Sequence, residues 1–359
     1  MEFQAKGKPI SIIKIAECRK HMRIHDEKIF GIEGAKIAAD YRLSIEEGNV
    51  TLKSYLGNDV DVIVPDKIGD FPVVALGTNC FEEGYRSEHK TNIKSITIPA
   101  SISVIPKGAF NYCKKLTIIN LSEGLITVAS DAFEECDGLK EIKLPNTVEI
   151  IEDGAFSRCR NLEKIFIPAS VKSVGNPFNG CDSLTEIVVA EDNDTYDSRD
   201  NCNAIIETTT NKIIAGCKNT VIPASVTVIG EGAFCGIDAI TEFVVPEGIV
   251  EIGDSAFNGC MKLKSIKISD SVEKIGSFAF YFCSELTKLE LPAKLTEIHI
   301  SAFGNCQKLT DLVIGDALKE ITDLDNAWTY NVAIKKVYGS ANSIAKTVAE
   351  ARRGEYIEI

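Results

Sequence analysis

A repeat of about 23 residues runs through most of this chain and limits the folds that it can adopt. A phenylalanine, usually preceded by alanine, returns after steps of 23, 23, 22, 56, 23, 23 and 23 residues. These phenylalanines are Phe110, Phe133, Phe156, Phe178, Phe234, Phe257, Phe280 and Phe303. A fixed period of this length is typical of a solenoid, in which each repeat is one coil that buries its apolar side against its neighbours.

The apolar residues keep fixed positions within the repeat. Counting from Leu263 as position one, positions four, six, ten, thirteen, seventeen, eighteen and twenty-one hold Ile266, Ile268, Val272, Ile275, Ala279, Phe280 and Cys283. Positions four and six point to the same side because side chains alternate along a strand. Position seven is often proline, which has no N–H to donate and so ends the strand. The pattern predicts one main strand per coil, stacked into a parallel sheet and followed by short turns.

The consensus L-x-x-I-x-I-P-x-x-V-x-x-I-x-x-x-A-F-x-x-C resembles the BspA-type leucine-rich repeat, over roughly residues 60 to 322. This resemblance implies a capped leucine-rich-repeat solenoid with a parallel β-sheet on its concave face and irregular short turns on its convex side. It also implies a bacterial surface or secreted protein that binds proteins, with adhesion to a host or neighbouring-cell protein as one form of that role.

The departures from the repeat suggest the organisation of the chain. Residues 1–58 form an N-terminal segment and cap, with a hairpin at 41–56 and helical structure before it. Residues 59–322 form the solenoid, and its long step contains a hairpin insertion at about 190–219, because two short apolar runs flank Thr-Thr-Thr-Asn. Residues 323–359 form a C-terminal cap, with a helix over 341–353 and a short strand after it.

Composition and charge exclude several classes of partner. The net charge of −13 argues against a general affinity for nucleic acid or for anionic lipid. No apolar run is long enough for a membrane helix, and residues 1–15 do not read as a secretory signal. The many cysteines fit a reducing cytoplasm, whereas the family resemblance favours secretion or the cell surface, so the localisation stays open.

For most of the 12 cysteines, a structural role in the core is favoured over a disulfide or a metal site. Most occupy position twenty-one beside phenylalanine and leucine, where a thiol packs as a small apolar group, and no CxxC pair suggests zinc. Cys235 is displaced from that position, so we expect it to be more accessible. Cys18, His21 and His25 would share one face of a helix, for which we favour a solvated face over a metal site.

Acidic residues and catalytic motifs give no further site. Asp192, Asp194, Asp197 and Asp200 lie together in the insertion, but the loop lacks the glycine and glutamate of a calcium-binding hand, so a solvated acidic loop is favoured. The chain contains no GxSxG, HExxH or phosphate-binding glycine-rich loop. We therefore expect no catalytic residues, no metal and no cofactor, and a protein that is not an enzyme.

A candidate partner site comes from position five of the repeat, which should face outward from the sheet. Consecutive coils place Phe166, Val188, Val221 and Val244 there, and Lys143 and Lys267 bracket them. A contiguous apolar patch with a charged rim is typical of an interface. Two alternatives stay open, since valine and phenylalanine favour strands in any context and the insertion could fold over this row.

The sequence thus favours a protein–protein interaction module that acts through the concave sheet face. An intracellular scaffold and a carbohydrate-binding surface protein are the alternatives. The second is weakened because Phe166 is the one aromatic residue in the apolar row.

Overall fold

The computed structural model describes residues 29–31, 33–82, 92–299, 301–318 and 334–359. The chain divides into two compact units, Met1–Cys159 with Ser170–Ser173, and Arg160–Ala169 with Val174–Ile359. The segment with Cys18, His21 and His25 lies outside the described residues, so the metal interpretation of that segment stays a sequence-based alternative.

The first unit begins with helical residues 29–31 and 33–38 and continues as strands. In chain order these are β1 (Tyr41–Glu46), β2 (Asn49–Tyr55), β3 (Asp61–Ile63), β4 (Lys67–Ile68), β5 (Phe71–Leu76), β6 (Ser95–Ile98), β7 (Val104–Ile105), β8 (Ile118–Leu121), β9 (Thr127–Val128), β10 (Glu141–Ile142) and β11 (Ile150–Ile151). Strands β1 and β2 form an antiparallel hairpin whose turn residues, Glu47 and Gly48, both have positive φ, as a tight two-residue hairpin requires.

Two parallel ladders build the coils of the first unit. Strand β6 pairs with β3 and β8, and β9 pairs with β7 and β11. The first ladder contains repeat positions three to six, and we call its outer surface the strand face. The second ladder contains positions twelve and thirteen, and we call its outer surface the second face. Each coil therefore has two strands, of which the repeat pattern predicted only the first.

The strands of the second unit continue the same plan. They are β12 (Lys164–Ile167), β13 (Ser173–Val174), β14 (Glu186–Val189), β15 (Tyr196–Asp197), β16 (Ala204–Glu207), β17 (Lys212–Gly216), β18 (Val228–Ile229), β19 (Glu242–Val245), β20 (Glu251–Ile252), β21 (Ser265–Ile268), β22 (Lys274–Ile275), β23 (Lys288–Glu290), β24 (Glu297–Ile298), β25 (Asp311–Val313), β26 (Lys336–Gly339) and β27 (Glu355–Glu358). Ser173 of β13 belongs to the first unit. A 3₁₀ helix covers Arg199–Asn201 and an α-helix covers Ala345–Arg352.

The strand face of the second unit consists of separate parallel ladders. Strand β12 pairs with β14, β19 pairs with β21, and β23 leads through β25 and β26 to β27. The C-terminal helix between β26 and β27 buries Ala345, Val348 and Ala349. It ends where Arg353 takes a left-handed conformation, a common way to terminate a helix.

The second face of this unit is one long sheet that takes up the insertion. Strands β15, β16 and β17 form an antiparallel meander, and β17 then pairs in parallel with β18, followed by β20, β22 and β24. Ile213 of β17 lies opposite Ile229 of β18. The hairpin of the insertion is thus an extra layer of the second face.

The third side of each coil is a run of turns over positions fourteen to twenty, which we call the turn face. Here the N–H of the position-eighteen phenylalanine donates to the carbonyl of the following coil's alanine, for example Phe257 to Ala279 at 2.7 Å and Phe280 to Ala302 at 2.7 Å. These bonds satisfy backbone groups that would otherwise be buried without a partner. They also hold the coils in register.

The core of each unit is a column of stacked phenylalanine rings. Phe110 and Phe133 stack at 5.1 Å between ring centroids, and Phe280 and Phe303 at 5.4 Å. These distances are close to the spacing of neighbouring strands, so one ring per coil fills the layer without a void.

Candidate functional site

The four apolar side chains of the predicted row are exposed on the strand face of the second unit. The exposed fractions are 49% for Phe166, 37% for Val188, 71% for Val221 and 62% for Val244. Their strand neighbours Ile165, Ile187 and Phe243 are buried, as side-chain alternation requires. The row is therefore a set of apolar groups left in water by the fold.

The structure brings these residues together in two places. Phe166 lies directly opposite Val188 in the β12–β14 pair, and Val244 lies opposite Lys267 in the β19–β21 pair. Val221 lies outside the strands, and its N–H donates to the carbonyl of Cys202 at 3.0 Å. The predicted row is thus divided between two ladders, β12–β14 and β19–β21. Val221 belongs to the irregular chain segment that lies between these ladders in the sequence.

The insertion leaves this row uncovered because it is tied into the second face. The N–H of Val174 donates to the hydroxyl oxygen of Tyr196 at 3.1 Å, and Asn193 donates to the carbonyl of Pro168 at 3.0 Å. Tyr196 is buried, and the meander from β15 to β17 continues into β18. Residues 191–219 therefore do not mask the row, as its exposed fractions show.

One arginine fixes the acidic loop of the insertion. Arg199 binds the Asp197 carboxylate through two nitrogens, with Nη2–Oδ2 at 2.6 Å and Nε–Oδ1 at 2.9 Å. Its Nη1 atom also donates to the side chains of Asn211 at 3.0 Å and Ser225 at 3.3 Å. A bidentate guanidinium–carboxylate pair is strong and directional. Asp197 is therefore a structural partner of Arg199 within the candidate calcium cluster.

Charged side chains surround the apolar row. Glu186 and Glu242 are exposed two residues before Val188 and Val244, so each shares the strand face with its valine. Lys164 is exposed opposite Glu186, and Lys267 is exposed opposite Val244. Lys143 is exposed in the first unit.

The cysteines form a hydrogen-bonded ladder in the core. The Sγ atom of Cys260 donates to the carbonyl oxygen of Phe234 at 3.1 Å, and that of Cys306 donates to Phe280 at 3.1 Å. Burial raises the pKa of the Cys159 thiol to about 12, which keeps it protonated and unreactive at neutral pH. Among the described cysteines, Cys235 is the half-buried one. None of the eleven described cysteines forms a disulfide bond.

Several exposed apolar residues lie outside the row that position five predicted. Ile63 and Ile118 are exposed on the strand face of the first unit, and Phe278 and Phe282 are exposed on the turn face of the second. The sequence alone distinguishes Phe278 and Phe282 from their neighbours. They occupy repeat positions sixteen and twenty, where the two neighbouring coils have small or polar residues, namely Ser255, Gly259, Ser301 and Asn305.

The family assignment agrees with this geometry. The model of the BspA type leucine-rich repeat region matches residues 76–204 and 208–334 in six copies, more than half of the chain. The chain belongs to the BspA-type leucine-rich repeat family. The resemblance in the repeat consensus is thereby confirmed, as are the leucine-rich-repeat solenoid and its period of about 23 residues. Proteins of this BspA type are typically binding proteins and not enzymes.

Solved structures show the same fold. A leucine-rich cell surface protein from Faecalibacterium prausnitzii A2-165 is 23% identical, covers 86% of this chain and 95% of its own, and superimposes with a TM-score of 0.56. The pneumococcal vaccine antigen PcpA is 23% identical, covers 89% of this chain and 96% of its own, and has a TM-score of 0.63. A search of curated proteins found no significant match.

Two further observations concern the described residues alone. No helix among them is long and apolar enough to cross a bilayer. In the same residues, no group of three or more histidine, cysteine, aspartate or glutamate side chains could hold a metal ion.

Proposed function

We propose that this BspA-type protein binds a protein partner through the strand face of its second unit and is not an enzyme. Phe166, Val188, Val221 and Val244 supply the apolar contacts, and Lys267 supplies a charge at one end. Lys143, in the first unit, stays a sequence-based candidate and is not part of this surface.

The observation that supports this proposal is the exposure of the apolar row, which the insertion after β14 leaves uncovered. An insertion follows β14 directly, yet its chain runs to the second face and leaves Phe166 and Val188 in water. Exposed apolar groups with charged neighbours are typical of interfaces, where a few well-packed residues near the centre contribute most of the binding energy.

A cell-surface role, including adhesion to a host or neighbouring cell, belongs to the same proposal. It is supported by the description of the Faecalibacterium protein as a cell surface protein and of PcpA as a vaccine antigen. The cysteines do not oppose it, because burial and a raised thiol pKa lower the reactivity of groups such as Cys159.

The test compares capture of solubilised surface proteins by wild type, Phe166→Asp and Ile118→Asp. Ile118 is the matched control, because it is an exposed apolar strand-face residue of the first unit. We expect Phe166→Asp to lose a captured protein that wild type and Ile118→Asp retain. The expected loss of affinity is at least about 30-fold, the effect of a hot-spot residue.

Both variants must first be shown to be folded by far-ultraviolet circular dichroism and urea unfolding. Equal capture by wild type and a folded Phe166→Asp variant would contradict the proposal. Equal loss from both variants would show a nonspecific effect of added negative charge.

A further inference from the structure

Three aromatic side chains of one coil form a cluster on the turn face of the second unit. The ring of Tyr281 is 5.3 Å from that of Phe278 and 4.5 Å from that of Phe282, and both pairs are edge-to-face. Phe278 is 38% exposed and Phe282 is 42% exposed. Asn305 donates to the hydroxyl oxygen of Tyr281 at 2.8 Å, which fixes the tyrosine between the two phenylalanines.

The backbone at both phenylalanines is in the left-handed region. The φ angle is 57° at Phe278 and 60° at Phe282. The neighbouring coils use the same backbone at the two positions but place small or turn-forming residues there, namely Ser255, Gly259, Ser301 and Asn305. Phenylalanine is poorly suited to positive φ, whereas glycine and asparagine tolerate it.

Burial in the core does not offset the unfavourable backbone conformation of either phenylalanine. Phe280, two residues from each, already supplies the ring of the stacked column and is fully buried. Tyr112 and Arg158 also have positive φ at position twenty of other coils, so it is the exposure of two phenylalanines beside a tyrosine that points to a site. The cluster therefore suggests a ligand.

The surroundings of the cluster are polar and carry no net charge. Neighbouring turn positions contain the amides Asn258 and Asn305 and several serine hydroxyls. The charged residues at positions fifteen and twenty-three of the three coils, Asp254, Lys262, Glu285 and Lys308, balance each other. Asp254 accepts the N–H of Ser277 at 2.7 Å, and Glu285 pairs with Lys308 at 2.7 Å. A neutral ligand complements such a surface better than an ion.

The size of the aromatic cluster favours a small ligand over a protein partner. Two partly exposed phenylalanines and one tyrosine present on the order of 200 Å² of aromatic surface, since a whole aromatic side chain buries about 150–250 Å². A stable protein interface needs about 800 Å² from each partner. One or two sugar rings are enough to cover the area of the aromatic cluster.

We infer that Phe278, Tyr281 and Phe282 form a binding site for a neutral saccharide that contains hexopyranose rings. The C–H groups on one face of a pyranose ring pack against aromatic rings, and its hydroxyl groups bind amides. The Tyr281 hydroxyl oxygen accepts from Asn305 and keeps its own proton for a sugar oxygen. This site lies on the turn face and is independent of the proposed partner site on the strand face.

The experiment is calorimetric titration of the whole protein with three neutral probes, maltotetraose, cellotetraose and β-1,4-galactotetraose, and with the anionic probe trigalacturonate. The key variant is the double substitution Phe278→Ser with Phe282→Gly, which reproduces the Ser255 and Gly259 pattern of the preceding coil. Ile118→Ser removes an exposed apolar side chain that lies outside the cluster and outside the proposed partner site, and is the control.

We expect wild type to bind at least one neutral probe with a Kd below about 10 mM, a weak affinity suited to a small contact. The double variant should bind at least 10-fold more weakly, and Ile118→Ser should bind as wild type. The Tm of the double variant should stay within about 2 °C of wild type or rise, because its turn residues suit positive φ.

Three results would overturn the inference. They are the absence of binding of all three neutral probes by wild type, undiminished binding by the double variant, and stronger binding of the anionic probe trigalacturonate than of any neutral one. A large fall in Tm of the double variant would show that the phenylalanines serve the fold. None of these results bears on the strand-face proposal, which is tested by protein capture.

Discussion

The Sγ atom of Cys136 donates a hydrogen bond of 3.1 Å to the carbonyl oxygen of Phe110 in the preceding coil. The same bond joins Cys283 to Phe257 at 3.3 Å. A thiol at position twenty-one thus fills the layer as an apolar group and gives a second hydrogen bond to a carbonyl that already accepts a backbone N–H. This double role gives a physical reason for a cysteine at that position where alanine or valine would fill space alone.

Replacement of Cys136 by alanine should lower the free energy of unfolding by about 1–3 kcal/mol, because it leaves a small cavity and removes one of the two hydrogen bonds that the Phe110 carbonyl accepts, the other coming from the Cys113 N–H. Urea unfolding measures this. Cys235→Ala is the control, since that thiol is half-buried and lies outside the ladder, and its cost should be smaller. Equal costs at the two positions would refute a specific role for the ladder.

Stability should fall at alkaline pH. Burial raises the pKa of the Cys159 and Cys306 thiols to about 12, whereas an unfolded thiol has a pKa of about 8.5. Above that value the unfolded chain has released protons that the folded chain still holds. The free energy of unfolding therefore decreases as pH rises, by up to about 1.4 kcal/mol per pH unit for each thiol.

Urea unfolding at pH 8 and pH 10, with reductant present, tests this dependence. The Cys159→Ala variant should show a shallower decrease than wild type, because one of the titrating thiols is gone. A free energy of unfolding that is the same at both pH values would contradict the raised thiol pKa.

Replacement by alanine should lower stability far more at one phenylalanine of a coil than at another of the same coil. Phe280 is buried between Phe257 and Phe303, at ring distances of 5.3 and 5.4 Å, so Phe280→Ala should cost about 3–5 kcal/mol. Phe278 is partly exposed at positive φ, so Phe278→Ala should change stability by less than about 1 kcal/mol. Thermal unfolding of both variants measures the contrast, and similar losses would mean that Phe278 is a core residue.

Arg199 should control the order of the insertion. Lysine at this position keeps the charge but cannot make the bidentate pair with Asp197 together with the bonds to Asn211 and Ser225. Arg199→Lys should therefore speed amide hydrogen exchange in β15, β16 and β17. Lys218→Met, at an exposed residue of the same insertion, is the control. Unchanged exchange in Arg199→Lys would show that the strands alone hold the insertion.

The repeat predicted the coil because each of its apolar positions has one local role. Ile266 and Ile268 share a strand face, and Phe280 and Cys283 fill fixed places in the layer. These roles depend on stacking identical units, so a single sequence is sufficient to recognise them. The short strands of the second face were not predicted, because two residues such as Lys274 and Ile275 give no alternation to detect.

The candidate sites were predictable only in part. The outward direction of Phe166 and Val188 follows from alternation along a strand. The path of the insertion depends on long-range bonds, such as that between Val174 and Tyr196, which local patterns do not contain. The same path places Val221 outside the ladders. The aromatic cluster was not predicted because it lies at turn positions outside the apolar spacing, where it stands out only when Phe278 and Phe282 are compared with the same positions of the neighbouring coils.

The central claim is that the apolar row on the strand face of the second unit is the partner-binding surface. Carbene footprinting of the captured complex tests it most directly, because the label reports the solvent exposure of individual side chains. We predict that labelling of Phe166, Val188 and Val244 falls on binding while labelling of Ile118 stays constant. Unchanged labelling of the row in a saturated complex would contradict the claim.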